Sequence, residues 1–249
     1  MALLYLAARA IGNMGIVDLG WTAGIGIGAI FFASVADGAG DRRWLTALLA
    51  ALWALRLGGY VAIDRVFSGE EDGRYKMLRE KFGHRQDLWF FAFFQIQAVW
   101  VAMFGAALLP AMYFDTPLWQ WYDILAVAVW AVAVGGEALA DRQLARWRRD
   151  PDNQGKTCRA GLWRYSRHPN YFFEWIHWFT YVLLAAGWLW GFAALAGPAV
   201  MLAFLFKITG IPYTEKRAIQ SRGDDYRRYQ RTTSVFIPLP PKTETGNGD

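Results

Sequence analysis

Residues 159–174 read Arg-Ala-Gly-Leu-Trp-Arg-Tyr-Ser-Arg-His-Pro-Asn-Tyr-Phe-Phe-Glu, and the chain continues Trp-Ile-His-Trp-Phe-Thr-Tyr to residue 181. A basic, hydrogen-bonding loop thus runs straight into an apolar stretch. Pro169 suits the first turn of a helix, where its missing N–H is one that would have no intrahelical partner anyway. From there Asn170, Glu174 and His177 fall at offsets of zero, four and seven, on one helical face. A carboxylate one turn inside a hydrophobic span is costly, so the stripe is expected to face a bundle interior and to have a function. The plainer alternative is a basic helix flank with a snorkelling acid.

Outward from this stretch the chain is unusually apolar: 55% hydrophobic and 17% aromatic, with 14 Trp in 249 residues. Such composition argues against a typical soluble domain. Apolar runs at about 19–36, 44–64, 89–112, 117–139, 171–189 and 192–213 are each roughly long enough to cross a hydrocarbon core of about 30 Å. The expected fold is all-α, a polytopic membrane helix bundle of about six to seven transmembrane helices. Met1–Ile11 is a partial seventh or an interfacial helix, since it contains Arg9 and no cleavage-site pattern of a secretory signal. One domain is expected over 1–237, with a cofactor half at about 137–237 and a disordered tail at 238–249.

Charge orients the bundle. Segment 65–88 holds six Lys or Arg, 140–170 holds eight and 214–249 holds seven, whereas the turns near 113–117 and 188–192 hold none. The three basic segments are therefore expected on the cytoplasmic side. The net charge of +5 is accounted for by this partition, with no free basic arm for a nucleic acid. The single cysteine, Cys158, excludes an intrachain disulfide and a cysteine metal cluster. Glu174 and His177 have the three-residue spacing of di-iron carboxylate sites. With three His in the chain and no second Glu-x-x-His, no metal is expected.

The chemistry is densest at 140–170. Asp141 and Arg148 are seven apart and share a helical face, Arg142 and Arg146 form a second stripe, and Lys156 and Arg159 follow the turn-forming run 150–155. Arg164, Arg167 and His168 add further anion-binding groups. Guanidinium forks of this kind suit phosphate, and acidic lipid headgroups are the competing ligand. Neither GxGxxG nor GxxxxGK[ST] occurs, so a nucleotide would be held in neither the Rossmann nor the P-loop manner. On the charged tail segment 213–229, Glu215, Arg217, Tyr226 and Tyr229 are candidates to close over a ligand, or else form a surface amphipathic helix. In the element 69–80, Arg74 and Tyr75 stand out. Within the spans, Asp18, Arg56, Gln95, Gln97 and Glu137 are polar, and Arg56 is the first partner expected for Asp18.

Gly161-Leu-Trp-Arg-Tyr-Ser-Arg-His-Pro-Asn-Tyr-Phe-Phe-Glu174, followed by Glu215-Lys-Arg, Gly223-Asp-Asp-Tyr-Arg-Arg-Tyr229 and Phe236-Ile-Pro238, resembles the steroid 5α-reductase superfamily, in particular its bacterial branch, and is similar to the sterol reductases. The resemblance covers most of the chain and is densest from Asp141 onward. It implies an NADPH-dependent reductase of the bacterial inner membrane, with its cofactor site facing the cytoplasm and a lipophilic small-molecule substrate carrying an activated C=C bond. Carried over by position, it implies cofactor contacts at Asp141, Arg148, Lys156, Gly161, Leu162, Trp163, Asn170, Glu174 and Tyr226. Together with the anion-binding and tail residues Arg167, His168, Tyr171, Glu215 and Arg217, these make up the expected cofactor site. Two positions depart from the family: Phe173 stands where many relatives have Gly, and the Gln-Glu pair with which eukaryotic members hold a steroid ketone is absent.

Reduction of an enone needs a group to stabilise the developing enolate oxygen and a source for the second proton. Tyr75 is the first candidate, with Arg56 and Gln95 as alternatives. Isoprenylcysteine and phospholipid methyltransferases share an Arg-His-Pro-x-Tyr turn, a tail Glu and a Tyr-rich end, which keeps an S-adenosylmethionine-dependent methyltransferase as the second reading. A non-enzymatic lipid-binding protein is the third. The substrate and the oligomeric state are not legible.

Overall fold

The computed structural model describes residues 1–66, 71, 73–208 and 210–243. Gly69, Glu70 and Asp72 of the expected cytoplasmic element, and residues 244–249 of the expected disordered tail, lie outside them. The chain is 78% helical, without strands among the described residues: a polytopic membrane helix bundle.

Two compact units are formed. The first comprises Met1–Gln120 and Leu184–Ala194. Its helices are α1 (Ala2–Ile11), α2 (Ile16–Val35), α3 (Gly40–Val61), α4 (Gly73–Phe82), α5 (Gln86–Ala106) and α6 (Leu109–Tyr113). Small residues let α2 and α3 approach closely: a Cβ on Gly26 would come within 2.8 Å of Ala54, and one on Gly58 within 3.1 Å of Thr22. Large rings fill the space alongside, with Trp21 edge-on to both Trp53 and Phe104. The short α1 is anchored rather than spanning. Tyr5 donates to the Asp87 carbonyl at 3.1 Å, Arg9 pairs with Asp87 at 3.0 Å, and the Tyr5 ring meets Phe91 and Phe94 edge-on.

At the start of α3, Arg42 is fully buried. It donates to the carbonyls of Thr116 (2.8 Å), Leu184 (2.6 Å) and Pro117 (3.3 Å) and lies over the Phe114 ring. Its charge closes two turns onto the helix and satisfies carbonyls that would otherwise be costly to bury.

The second unit comprises Trp121–Leu183 and Leu195–Asp249. It contains α7 (Trp121–Arg149), α8 (Pro169–His177), α9 (Phe179–Leu184), α10 (Ala196–Ala203), α11 (Ile211–Arg222) and α12 (Asp224–Thr232). The long α7 has Asp123 in its first turn and Arg146, Arg148 and Arg149 in its last, signs that complement the helix dipole. Gly223, at φ +53°, separates α11 from α12.

Five segments among the described residues are long and apolar enough to cross a membrane: Ile16–Val35, Gly40–Val61, Gly73–Ala106, Trp121–Arg149 and Gly191–Arg222. They correspond to five of the six expected spans. The sixth, expected over 171–189, is instead the pair α8 and α9. The break is local: the Trp178 amide bonds the Trp175 carbonyl, tightening the helix by one residue. Hydropathy cannot register such a change.

Candidate functional site

The motif loop is pinned to α7. Gly161 has φ +57°, and an added Cβ there would come within 2.4 Å of the Gln143 side chain. The same Gln143 accepts the Leu162 amide at 2.9 Å, and the Trp163 indole donates to the Ala140 carbonyl at 2.9 Å. Gly161, Leu162 and Trp163 thus hold the loop beside the last turns of α7. From inside, Tyr229 donates its hydroxyl to the carbonyls of Trp163 and Ser166, and the Ser166 hydroxyl donates to the Phe236 carbonyl at 2.7 Å.

Beyond the loop, α8 begins at Pro169 and lays Asn170 and Glu174 along one buried face. Asn170 Nδ2 donates to Asp141 Oδ1 at 3.2 Å, and Glu174 accepts the Trp178 indole N–H at 3.1 Å. Phe173, the bulky departure from the family pattern, sits against Gly136, where a Cβ would come within 2.5 Å of the ring. The missing side chain on α7 makes room for the extra one on α8.

A second cluster gathers around Glu215 of α11. Arg167 Nε donates to Glu215 Oε1 at 2.6 Å and Gln230 to Oε2 at 2.9 Å; His168 Nε2 and the Tyr226 hydroxyl each lie 3.4 Å from Oε1. Arg167 also donates to the carbonyls of Gln230 and Thr233, tying the loop to the end of α12. His168 stacks on Tyr171, whose hydroxyl is 3.3 Å from that of Thr214. Burial pushes the His168 imidazole below its ordinary range, although the Glu215 carboxylate pulls the other way. Burial, reinforced by the Glu215 charge, pushes the Tyr226 hydroxyl up and keeps it a donor.

At the end of α7 opens a pocket of about 370 Å³, lined by Trp147, Arg148, Arg149, Lys156, Cys158 and Arg222 among others. One wall is held by Asp225, which accepts the Thr157 amide at 2.8 Å and pairs with Arg159 at 2.7 Å. Burial alone would raise the Asp225 carboxyl; the hydrogen bonds from Thr157 and the Arg159 charge outweigh it and hold it below its ordinary value. Burial pushes the Cys158 thiol up despite the pull of Arg222 and Arg148, so the thiol adds no negative charge to the pocket. Asp150 is the one acidic residue in this lining, against four cations.

The expected cofactor residues therefore fall into connected groups of the second unit. Arg148 and Lys156 share the pocket; Asp141, Asn170 and Glu174 share the α7–α8 face; Arg167, His168, Tyr226 and Glu215 interlock, with Tyr171 stacked on His168. Arg217 is exposed on α11, as is the Arg142–Arg146 stripe on α7. Trp147 and Arg222 are pocket residues that the sequence reading does not single out. Arg222 lies seven residues after Glu215, the same interval that links Asp141 to Arg148.

Of the expected catalytic candidates, all in the first unit, Tyr75 is buried and donates to Asp18 Oδ1 at 3.0 Å, while Arg74 pairs with Asp18 Oδ2 at 2.8 Å. The partners that the structure gives Asp18 thus include α4. Arg56 has its guanidinium 5.9 Å from the Tyr60 ring centre, and Gln95 donates to the Phe91 carbonyl of its own helix at 3.4 Å.

A family model described as "Protein of unknown function (DUF1295)" matches residues 4–233. No curated protein matches the chain. No solved structure matches it either.

Proposed function

We propose that this chain, which belongs to the DUF1295 family, is an integral membrane reductase that uses NADPH to reduce an activated C=C bond of a lipophilic substrate. The observation that carries this reading is the cationic pocket of Arg148, Lys156 and Arg222, at the end of the helix that also bears Asp141. From Arg148 to Glu137, α7 rises about 16 Å, a distance that an extended dinucleotide bridges. The likeness of Gly161–Glu174 to the steroid 5α-reductase superfamily supports the same assignment.

The donor set fits the group. Guanidinium and ammonium ions around a pocket with one acid suit a phosphorylated ligand, whereas S-adenosylmethionine carries no phosphate. Arg148, Lys156 and Arg222 would hold the phosphates, with the Trp147 indole as an apolar wall. Asn170 and Glu174 would hold the nicotinamide end by hydrogen bonds. Bound NADPH supplies the hydride. The remaining work belongs to the protein: a hydrogen-bond donor stabilises the enolate oxygen, worth several kcal/mol when preorganised, and the aromatic helices exclude water. Without the Gln-Glu pair, the substrate class stays at lipophilic enones rather than steroids. The positive-inside reading gives the pocket a cytoplasmic aspect.

Cofactor binding to the detergent-purified protein tests the proposal. Affinity for NADPH without affinity for S-adenosylmethionine is expected. The reverse would make the chain a methyltransferase, and binding of neither would leave a lipid-binding role.

A further inference from the structure

Asp141 and Asn170 fix how α7 and α8 meet. With Asn170 bonded to Asp141 at 3.2 Å and Gly136 against Phe173, numbering falls along one helix as it rises along the other. One turn from that hydrogen bond, on the same face of each helix, stand Glu137 and Glu174. Both are buried, 4% and 6% exposed. The register therefore sets the two residues at the same level of the α7–α8 contact, inside a membrane bundle. Two ionised carboxylates there would repel across a poorly screened interior, and one shared proton would remove that repulsion.

The polar stripe does not end there. Farther along α8 and α9, the Tyr181 hydroxyl and His177 Nε2 are hydrogen-bonded at 2.9 Å, and both residues are fully buried. Thr180 is buried beside them, and its Oγ1 makes no hydrogen bond. The titratable groups along this stripe are Glu137 and Asp141 on α7, Glu174 and His177 on α8, and Tyr181 on α9; Tyr122 and the buried Asp123 lie at the opposite end of α7, its four arginines lie beyond Asp141, and the Tyr171 hydroxyl is turned to Thr214. The helix α10, which also packs on α8, carries none. So much polarity at such depth is costly unless it is used.

We propose that Glu137 is a positioning residue that shares a single proton with Glu174, and that this carboxyl pair, continued by His177 and Tyr181, stores the proton consumed in double-bond reduction. The inference rests on the reductase reading. Hydride, with its electron pair, forms the new C–H bond at the β carbon. The π electrons of the C=C bond move toward the carbonyl oxygen, giving an enolate. As they return, the α carbon takes one proton from the carboxyl pair, completing the saturated ketone. The enone has then gained one hydride and one proton, and NADPH has been oxidised to NADP⁺. The pair, left doubly ionised, regains one proton from water, relayed by Tyr181 and His177.

Infrared spectroscopy of the detergent-solubilised, ligand-free protein at neutral pH tests the pair directly. Expected is a protonated-carboxyl band that moves when glutamate is isotope-labelled, is shifted or lost in both Glu137→Gln and Glu174→Gln, and persists in Glu137→Asp. A missing band, or one that answers to only one of the two Gln substitutions or to neither, would overturn the shared proton. NADPH is then added to the wild type. A shift of the same band is expected, and NADPH binding without a shift would overturn the catalytic half of the proposal. Because the first measurement contains no cofactor, a shared band in a protein that binds no NADPH would sink the reductase reading while leaving the pair standing.

Discussion

Arg148 is where the phosphate reading is most exposed to test, because it is an exposed arginine lining a pocket rather than one locked into the fold. Arg148→Ala is expected to weaken NADPH more than NADH by about 1.5–3 kcal/mol, the usual loss for a charge-assisted hydrogen bond. Equal weakening of the two, measured by calorimetry, would show that Arg148 does not read the additional phosphate. Glu174 differs because it is buried and already accepts the Trp178 N–H. Glu174→Gln keeps the side chain's shape, so the melting temperature in detergent should hold while NADPH affinity falls. If Glu174 instead served mainly to pair a buried charge, the same change would cost about 3–5 kcal/mol of stability, and lowered melting with intact binding would reveal it. Gly161 is constrained by its backbone. At φ +57°, with Gln143 in the way, Gly161→Ala should cost about 1–2 kcal/mol for the left-handed conformation alone. A melting temperature equal to the wild type would refute that.

The junction of the motif loop with α11 and α12 carries its own pH dependence. An unfolded imidazole titrates near about 6.5, and burial holds His168 below that in the folded protein. As the pH falls through 6.5, the unfolded chain takes up a proton that the folded chain accepts only at lower pH, so stability declines toward the folded value. The carboxylates respond lower down: Asp225, depressed by Thr157 and Arg159, gives up its contribution only as the pH falls below about 4. Melting curves at pH 7.5 and 5.5 should therefore differ in the wild type and differ less in His168→Asn; an equal difference in both would place the effect elsewhere. The elements also show what a sequence can and cannot convey. Asp141, Asn170 and Glu174 were legible because offsets of four and seven define a helical face whatever surrounds it. Trp147 and Arg222 were not, since they share a pocket only once α11 folds back to the end of α7, and neither residue's local pattern contains that contact.

Across the whole molecule, hydropathy located five long spans and charge gives them an expected direction, but both signals are incomplete at two places. Arg42 lies at an end where the positive-inside rule expects few charges, yet its guanidinium is spent on buried carbonyls, so it does not count against the expected orientation. The other place is Pro169–Leu184. Its two helices extend about 24 Å, short of a core of about 30 Å, and length alone would allow a re-entrant dip. Parity argues for a crossing. Trp121–Arg149 and Gly191–Arg222 each meet the length and hydropathy expected of a span, and each ends in arginines: Arg146, Arg148 and Arg149 in one, Arg217 and Arg222 in the other. If both arginine-rich ends face the cytoplasm, the two spans run in the same direction, and the chain must recross the membrane between them. Pro169–Leu184 is the only apolar helical stretch between them among the described residues, so on that orientation it is expected to cross, with the bilayer thinning locally to meet it. Reporter tags at Asn153 and at the C-terminus should therefore appear cytoplasmic, and tags after Asp115 and at Gly191 external. A cytoplasmic signal at Gly191 would make α8 and α9 re-entrant and leave the arginines of α11 outside. An external signal at Asn153 would put the phosphate pocket on the side that has no NADPH and end the reductase proposal.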